Sequence, residues 1–276
     1  MKLATIRTEG GTAAARVDGE ELVLLPYTDL GELLGSGDDW PARAVGEGDS
    51  SLPLADANFA PVVPRPEKIW GVGLNYAAHA AEAKLELPEY PTVFAMFWRS
   101  LIGAEDDLVL PAVSDKTDWE AELGVVIGRP TRSVDRTEAR ASIAGYTVIN
   151  DVSMRDWQRR TKQFLQGKTF EGSTPAGPYL VTADEVDPAL DLRITCSVDG
   201  ETMQDSSTSD LVFKPDEVIS YLSQIITLMP GDLIATGTPS GVGGARRPEV
   251  FLEPGQTMVT EVEGIGRQAN LVKAPE

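Results

Sequence analysis

Short strand-like runs bounded by Gly- and Pro-containing turns recur along most of this chain and outnumber helical patterns, a texture that predicts β-strands more often than helices. Residues 3–7, 13–17 and 21–25 form three such runs between Gly-containing turns, and an acidic stretch with Gly and Pro follows from 35 to 66. These features predict a small β-rich N-terminal domain with a linker over residues 1–65. Further strand-like runs follow at 68–73, 108–110, 120–128, 145–151, 179–182, 192–198, 232–236 and 257–262. Helical spacing is rarer. It covers 154–164, with Ser153 as a candidate N-cap and Asp156 beyond it, and 215–227. The expected fold is therefore α+β, mainly β, with a second domain over 66–276.

The run 120–128 carries the most chemical information. Trp119, Ala121, Leu123, Val125 and Ile127 share one pleat face, and Glu120 and Glu122 share the other. Carboxylates about 7 Å apart on one face repel unless a cation lies between them, and a hard divalent ion is the simplest such partner. A solvated outer face would have the same pattern. Asp151 closes the run 145–151 and could complete an all-oxygen site suited to Mg²⁺ or Mn²⁺, with Ca²⁺ possible, or it could instead help to cap the following helix. Asn150 would bring no charge.

Composition narrows the partners. The 276 residues are 42% hydrophobic with a net charge of −19, which disfavours nucleic-acid phosphates and anionic lipid surfaces. A small molecule is the expected ligand, and an acidic one would need a locally positive site. One cysteine, Cys196, excludes an internal disulfide. Without an apolar N-terminal run or a membrane-length apolar stretch, the expected location is the cytoplasm.

The single histidine, His79, lies three residues before Glu82 in an Ala-rich run. If that run is helical, the carboxylate can orient the imidazole and the pair could activate a water, though an exposed helix pair would look the same. Lys168, between Gly-containing turns, could hold a carboxylate or oxyanion. Arg155 and Gln158 follow Asp151, and Thr236, Gly237 and Thr238 open a Gly-rich loop whose N–H groups could bind an anion. Neither a Walker A nor a dinucleotide-binding pattern is present.

Several stretches, taken in order, resemble the fumarylacetoacetate hydrolase superfamily. They are Gly73-Leu74-Asn75-Tyr76 with His79 and Glu82; Glu120-Ala121-Glu122-Leu123; Gly145-Tyr146 with Asn150-Asp151 and Arg155-Asp156; Lys168; Gly177-Pro178; Gln204 with Thr208; Gly231-Asp232 with Thr236-Gly237-Thr238-Pro239; and Gly264-Ile265-Gly266. The resemblance implies a mixed β-sandwich roll, usually a homodimer, with Mg²⁺ or Mn²⁺ held by Glu120, Glu122 and Asp151. It implies 2-oxo or diketo acid substrates, with His79, Glu82 and Lys168 catalytic and Tyr76, Arg155, Gln158 and residues 236–238 contacting substrate.

Metal-dependent C–C hydrolysis of an acylpyruvate-like acid is the expected reaction. Decarboxylation or isomerisation of a 2-oxo diacid is the alternative on the same scaffold, and a non-catalytic binding protein is the third reading. Met96, expected among the substrate-contacting residues, stands where many relatives carry Lys, which either shifts specificity toward a less charged or bulkier substrate or weakens the chemistry itself. Leu74 stands where some decarboxylase-like relatives carry Arg, and both changes reduce the positive charge available for a small dianionic substrate. Residues 79–91 are expected to form a lid.

Overall fold

The 120–128 run forms the strand Ala121–Ile127, whose every residue is buried. In the computed structural model, which describes residues 1–46, 48, 50–82, 86–186 and 191–275, this strand lies inside a ten-stranded mixed sheet. The sheet order is Ser50–Pro53, Glu21–Leu24, Gly11–Asp18, Lys2–Thr8, Tyr179–Thr182, Ile143–Asn150, Ala121–Ile127, Leu233–Ala235, Ile69–Gly73 and Thr92–Met96. Burial on both faces follows from two coverings. Leu123, Val125 and Ile127 join a core with Ile194, Cys196 and Val262 of a five-stranded sheet and with Val218, Ile219 and Leu222 of the helix Pro215–Ile225. Val126 and Ala144 join a second core with Leu30, Leu33, Leu34 and Trp40 from two short N-terminal helices.

Side-chain amides fasten the two sheets together. Gln204 accepts from the Ala121 N–H at 2.9 Å, and Gln268 donates to the Val148 carbonyl at 2.9 Å. Asn150 donates to the Thr260 hydroxyl at 2.8 Å. Such bonds satisfy groups that would be costly to bury unpaired.

The N-terminal strands continue the same sheet, because Lys2–Thr8 pairs antiparallel with Tyr179–Thr182. Arg7 also forks onto Asp106 at 2.9 and 2.6 Å. The stretch expected as linker contains the helix Trp40–Gly46 and the strand Ser50–Pro53, elements too short for periodicity to reveal.

The expected helix 154–164 is shorter: only Arg155–Gln158 is helical, and a separate turn, Leu165–Lys168, follows. Ser153 does not cap it. Its hydroxyl donates to the Asp151 carbonyl while its backbone pairs with Asp118. Among the described residues no helix is long and apolar enough to cross a membrane.

Candidate active site

Antiparallel register brings the three carboxylates together. Ala121 lies opposite Asn150, so Glu120 and Asp151 emerge side by side where the two strands end. The Asp151 N–H donates to the Glu120 carbonyl and the Asn150 side chain accepts from the Glu120 N–H, both at 2.9 Å. Carboxylate oxygens of Glu120, Glu122 and Asp151 lie within 4.8 Å of one another. They are only 6%, 2% and 0% exposed, so this is no solvated outer face.

Two buried cations border the cluster. Lys168 Nζ donates to Glu120 Oε2 at 2.6 Å and Asp151 Oδ2 at 2.8 Å. Arg155 donates through Nη1 to Glu120 Oε1 at 2.6 Å and through Nε to Asp118 Oδ2 at 2.7 Å. Burial opposes the charge on Glu120, but Lys168 and Arg155 prevail and hold its carboxyl at about 2. Burial, reinforced by Asp151 and Glu120, pushes Glu122 well above the carboxylate range. Burial likewise pushes Asp151 up to about 6, against the pull of Lys168. Although burial disfavours the ammonium, Asp151 and Glu120 raise the Lys168 pKa.

This donor set fits a hard divalent cation. It is all oxygen, and Asp151 Oδ1 is buried without a hydrogen-bond partner among the described residues. Four carboxylates, Asp118 included, face two cations; with all four ionised, as ligation of a cation requires, the two excess negative charges match one divalent ion. Glu120, Glu122 and Asp151 would hold it.

Across the same cavity, of about 560 Å³, stand His79 and Glu82. Both lie on the helix Ala77–Glu82, which puts His79 Nδ1 3.2 Å from Glu82 Oε2. The Gly241 N–H donates to the Glu82 carboxylate at 3.1 Å, tying the helix to the 236–247 loop. Leu74, beside the dyad on the cavity wall, holds a φ of 55°, a conformation unusual for a branched apolar residue. Gly237, with φ 102°, directs its N–H to Glu122 Oε2 at 2.7 Å, and a Cβ there would come within 2.8 Å of Asn75.

The model of the fumarylacetoacetate (FAA) hydrolase C-terminal family matches residues 68–273. The chain belongs to this family. A mitochondrial oxaloacetate tautomerase of Bos taurus is 46% identical over 223 residues, covering 80% of this chain and 71% of the relative. A candidate HpcE protein from Mycobacterium smegmatis superposes with a TM-score of 0.91 at 35% identity, covering 100% of both chains. The 2-hydroxyhepta-2,4-diene-1,7-dioate isomerase of Mycobacterium marinum gives 0.83 at 31% identity, covering 99% of this chain and 98% of the other.

Within this family enzyme, the expected residues distribute unevenly. His79, Glu82, Glu120, Glu122, Arg155, Gln158, Lys168 and Thr238 line the cavity. Thr236 is buried behind it, donating to the Leu123 carbonyl at 2.8 Å. Tyr76 is fully buried and does not line the cavity; its hydroxyl has no hydrogen-bond partner among the described residues, and burial raises its pKa.

Met96, expected to meet substrate, does not line the cavity either. It is 3% exposed, in a core with Ile69 and Leu101. Phe94, two residues earlier on the same strand face, reaches the cavity instead, because it pairs opposite Gly71, nearer the cavity end of that strand. The inference of a bulkier substrate from Met96 therefore loses its basis. Of the expected lid, residues 83–85 lie outside the described residues.

Sequence reading missed Asp118, Arg159, Phe164 and Arg247. Asp118 was accessible: it continues the alternation of Glu120 and Glu122. Its carboxylate accepts from Gly243 and Gly244 N–H at 2.7 and 2.8 Å besides holding Arg155. Arg159, four residues beyond Arg155, had a helical-spacing signal, whereas Phe164 and Arg247 had none.

Proposed function

We propose that this family member is a divalent-cation-dependent tautomerase that interconverts the enol and keto forms of a small 2-oxo dicarboxylic acid such as oxaloacetate. The observation that carries the reading is one cavity lined by a His–carboxylate dyad, by members of a three-carboxylate cation site, and by Arg159 and Arg247. The two arginines supply the local positive charge that an acidic substrate needs within an acidic protein, and the tautomerase name of the bovine relative supports the same choice.

Mg²⁺ or Mn²⁺ held by Glu120, Glu122 and Asp151 would supply Lewis acidity that favours the enolate form of a 2-oxo acid. Glu82 engages His79 Nδ1, leaving Nε2 to take or return a proton at the carbon between the ketone and the distal carboxylate. Gly241 holds Glu82, and so the imidazole plane, in place. Lys168 and Arg155 keep Glu120 ionised. Gln158 and Thr238 offer hydrogen bonds to substrate oxygens, while Val72, Leu74, Phe94 and Phe164 form apolar walls.

C–C hydrolysis of an acylpyruvate is the second reading, favoured by the same dyad, which could equally take a proton from water. We further propose a homodimer as the active unit, as the resemblance to the superfamily implies.

The test follows loss of the ultraviolet absorbance of enol-oxaloacetate with Mg²⁺ or Mn²⁺, alongside mass spectrometry of acylpyruvate products in heavy-oxygen water. Accelerated ketonisation without carbon dioxide release or oxygen incorporation is expected. Pyruvate plus an acid carrying one solvent oxygen would establish hydrolysis instead. Rates equal to those in buffer plus metal would overturn both readings.

A further inference from the structure

Three arginines line the cavity, and they differ in how their charge is used. Arg155 is buried, with Asp118, Glu120 and Gln158 as partners. Arg159 donates to Glu249 at 2.7 Å and to the Gly244 carbonyl at 3.1 Å, and Lys116 shares Glu249 at 3.0 Å. Arg247 donates only to the main-chain carbonyls of Arg246 and Ala245, at 2.7 and 3.4 Å, and has no carboxylate partner among the described residues. In a chain where 43 acidic residues face 24 Lys and Arg, a cavity arginine without an acidic partner has its charge available for a ligand.

The loop that carries it is fixed at its base. Asp118 accepts from both the Gly243 and Gly244 N–H groups, and the Gly243 carbonyl accepts from Arg246 and Val250, each at 3.2 Å. A Cβ on Gly243 would overlap the Val250 carbonyl, so the loop closes this tightly only around glycine. Because the same Asp118 holds Arg155, which holds Glu120, the root of the loop is registered to the carboxylate cluster. The Arg247 side chain itself is exposed at the rim and can adapt to a ligand.

Building on the tautomerase reading, we propose that Arg247 is the specificity-determining residue that recognises the distal carboxylate of a dianionic substrate. A planar guanidinium matches a carboxylate through two parallel N–H donors. The distal carboxylate does not change charge during tautomerisation, so the contact has equal strength in the ground and transition states and is felt in KM rather than kcat. Arg159 is the lesser contributor, because Glu249 already occupies its guanidinium.

The test compares the Mg²⁺-loaded full chain with Arg247→Ala and Arg247→Lys. The substrates are oxaloacetate, followed by tautomerisation, and 2-oxobutyrate, in which a methyl replaces the distal carboxylate, followed by deuterium exchange at C3. Arg247→Ala is expected to raise the KM for oxaloacetate about tenfold to a hundredfold and to cut the preference for oxaloacetate over 2-oxobutyrate by a similar factor, with Arg247→Lys between. An unchanged KM, or an equal loss on both substrates, would overturn the assignment.

Calorimetric binding of malate and 2-hydroxybutyrate separates this inference from the reading beneath it. A wild-type chain that turns over neither substrate removes the tautomerase reading. A preference for malate that Arg247→Ala abolishes would still support the distal-carboxylate role, and the absence of any such preference would sink it.

Discussion

The Asp118 carboxylate and the Arg155 guanidinium form a buried pair, Oδ2 to Nε at 2.7 Å, that joins the carboxylate cluster to the 243–250 loop. Removing one partner of such a pair strands a charge in a low-dielectric interior, which typically costs about 3–5 kcal/mol. Asp118→Ala is therefore expected to lose about this much stability in urea unfolding. A loss below about 1 kcal/mol, of the size found for exposed ion pairs, would show that water replaces the contact.

His79→Ala should lower turnover by about a hundredfold to ten-thousandfold, the range for a positioned acid–base group, while Mn²⁺ affinity measured by calorimetry stays near wild type. Glu82→Gln should lower turnover less, since the amide can still accept from the ring. Full activity in His79→Ala would remove the imidazole from the chemistry.

Mn²⁺ at about a hundred times its Kd should stabilise the wild-type chain by about 2.7 kcal/mol, read as a rise of several degrees in Tm. Glu122→Ala should abolish that rise, because the variant keeps only two of the three clustered carboxylates. An undiminished rise in the variant would place the ion elsewhere.

Glu249 gives a pH signature. Hydrogen bonds from Arg159, then Lys116, hold its carboxyl at about 2, below the ordinary value near 4.3. A group whose folded pKa is depressed contributes stability that is fully present above its unfolded pKa and lost as the pH falls through the folded one. The clamp on Arg159 should thus hold at about pH 5 and release between about pH 4 and about 2. Carbon NMR titration of the Glu249 carboxyl checks this, with Arg159→Met expected to move the midpoint upward. A wild-type midpoint near 4.3 would show the clamp absent in solution.

Local pattern alone identified the strands that matter most for the site. The runs at 120–128 and 145–151 formed Ala121–Ile127 and Ile143–Asn150, because strands covered on both faces read as short, nearly continuous apolar runs. It also put Glu120 and Glu122 on one face, and it carries Asp118 with them, although that third acidic residue was overlooked. Elements of six or seven residues, such as Leu30–Gly35 and Trp40–Gly46, span too few turns to show a helical period.

By itself, then, the sequence determined the central strands, the Glu120/Glu122 pair and the spacing of His79 from Glu82, since each depends on residues close in the chain, and the acidic excess, which is composition alone. The tertiary structure decided how Lys168 is used, seating its ammonium between Glu120 and Asp151, which lie 48 and 17 residues away. It also decided that Met96 lies in the core and Phe94 in the cavity, and that Glu249 engages Arg159 while Arg247 has no acidic partner among the described residues. Those outcomes depend on strand register and on which distant charge arrives beside which, and neither is encoded in a local window of sequence.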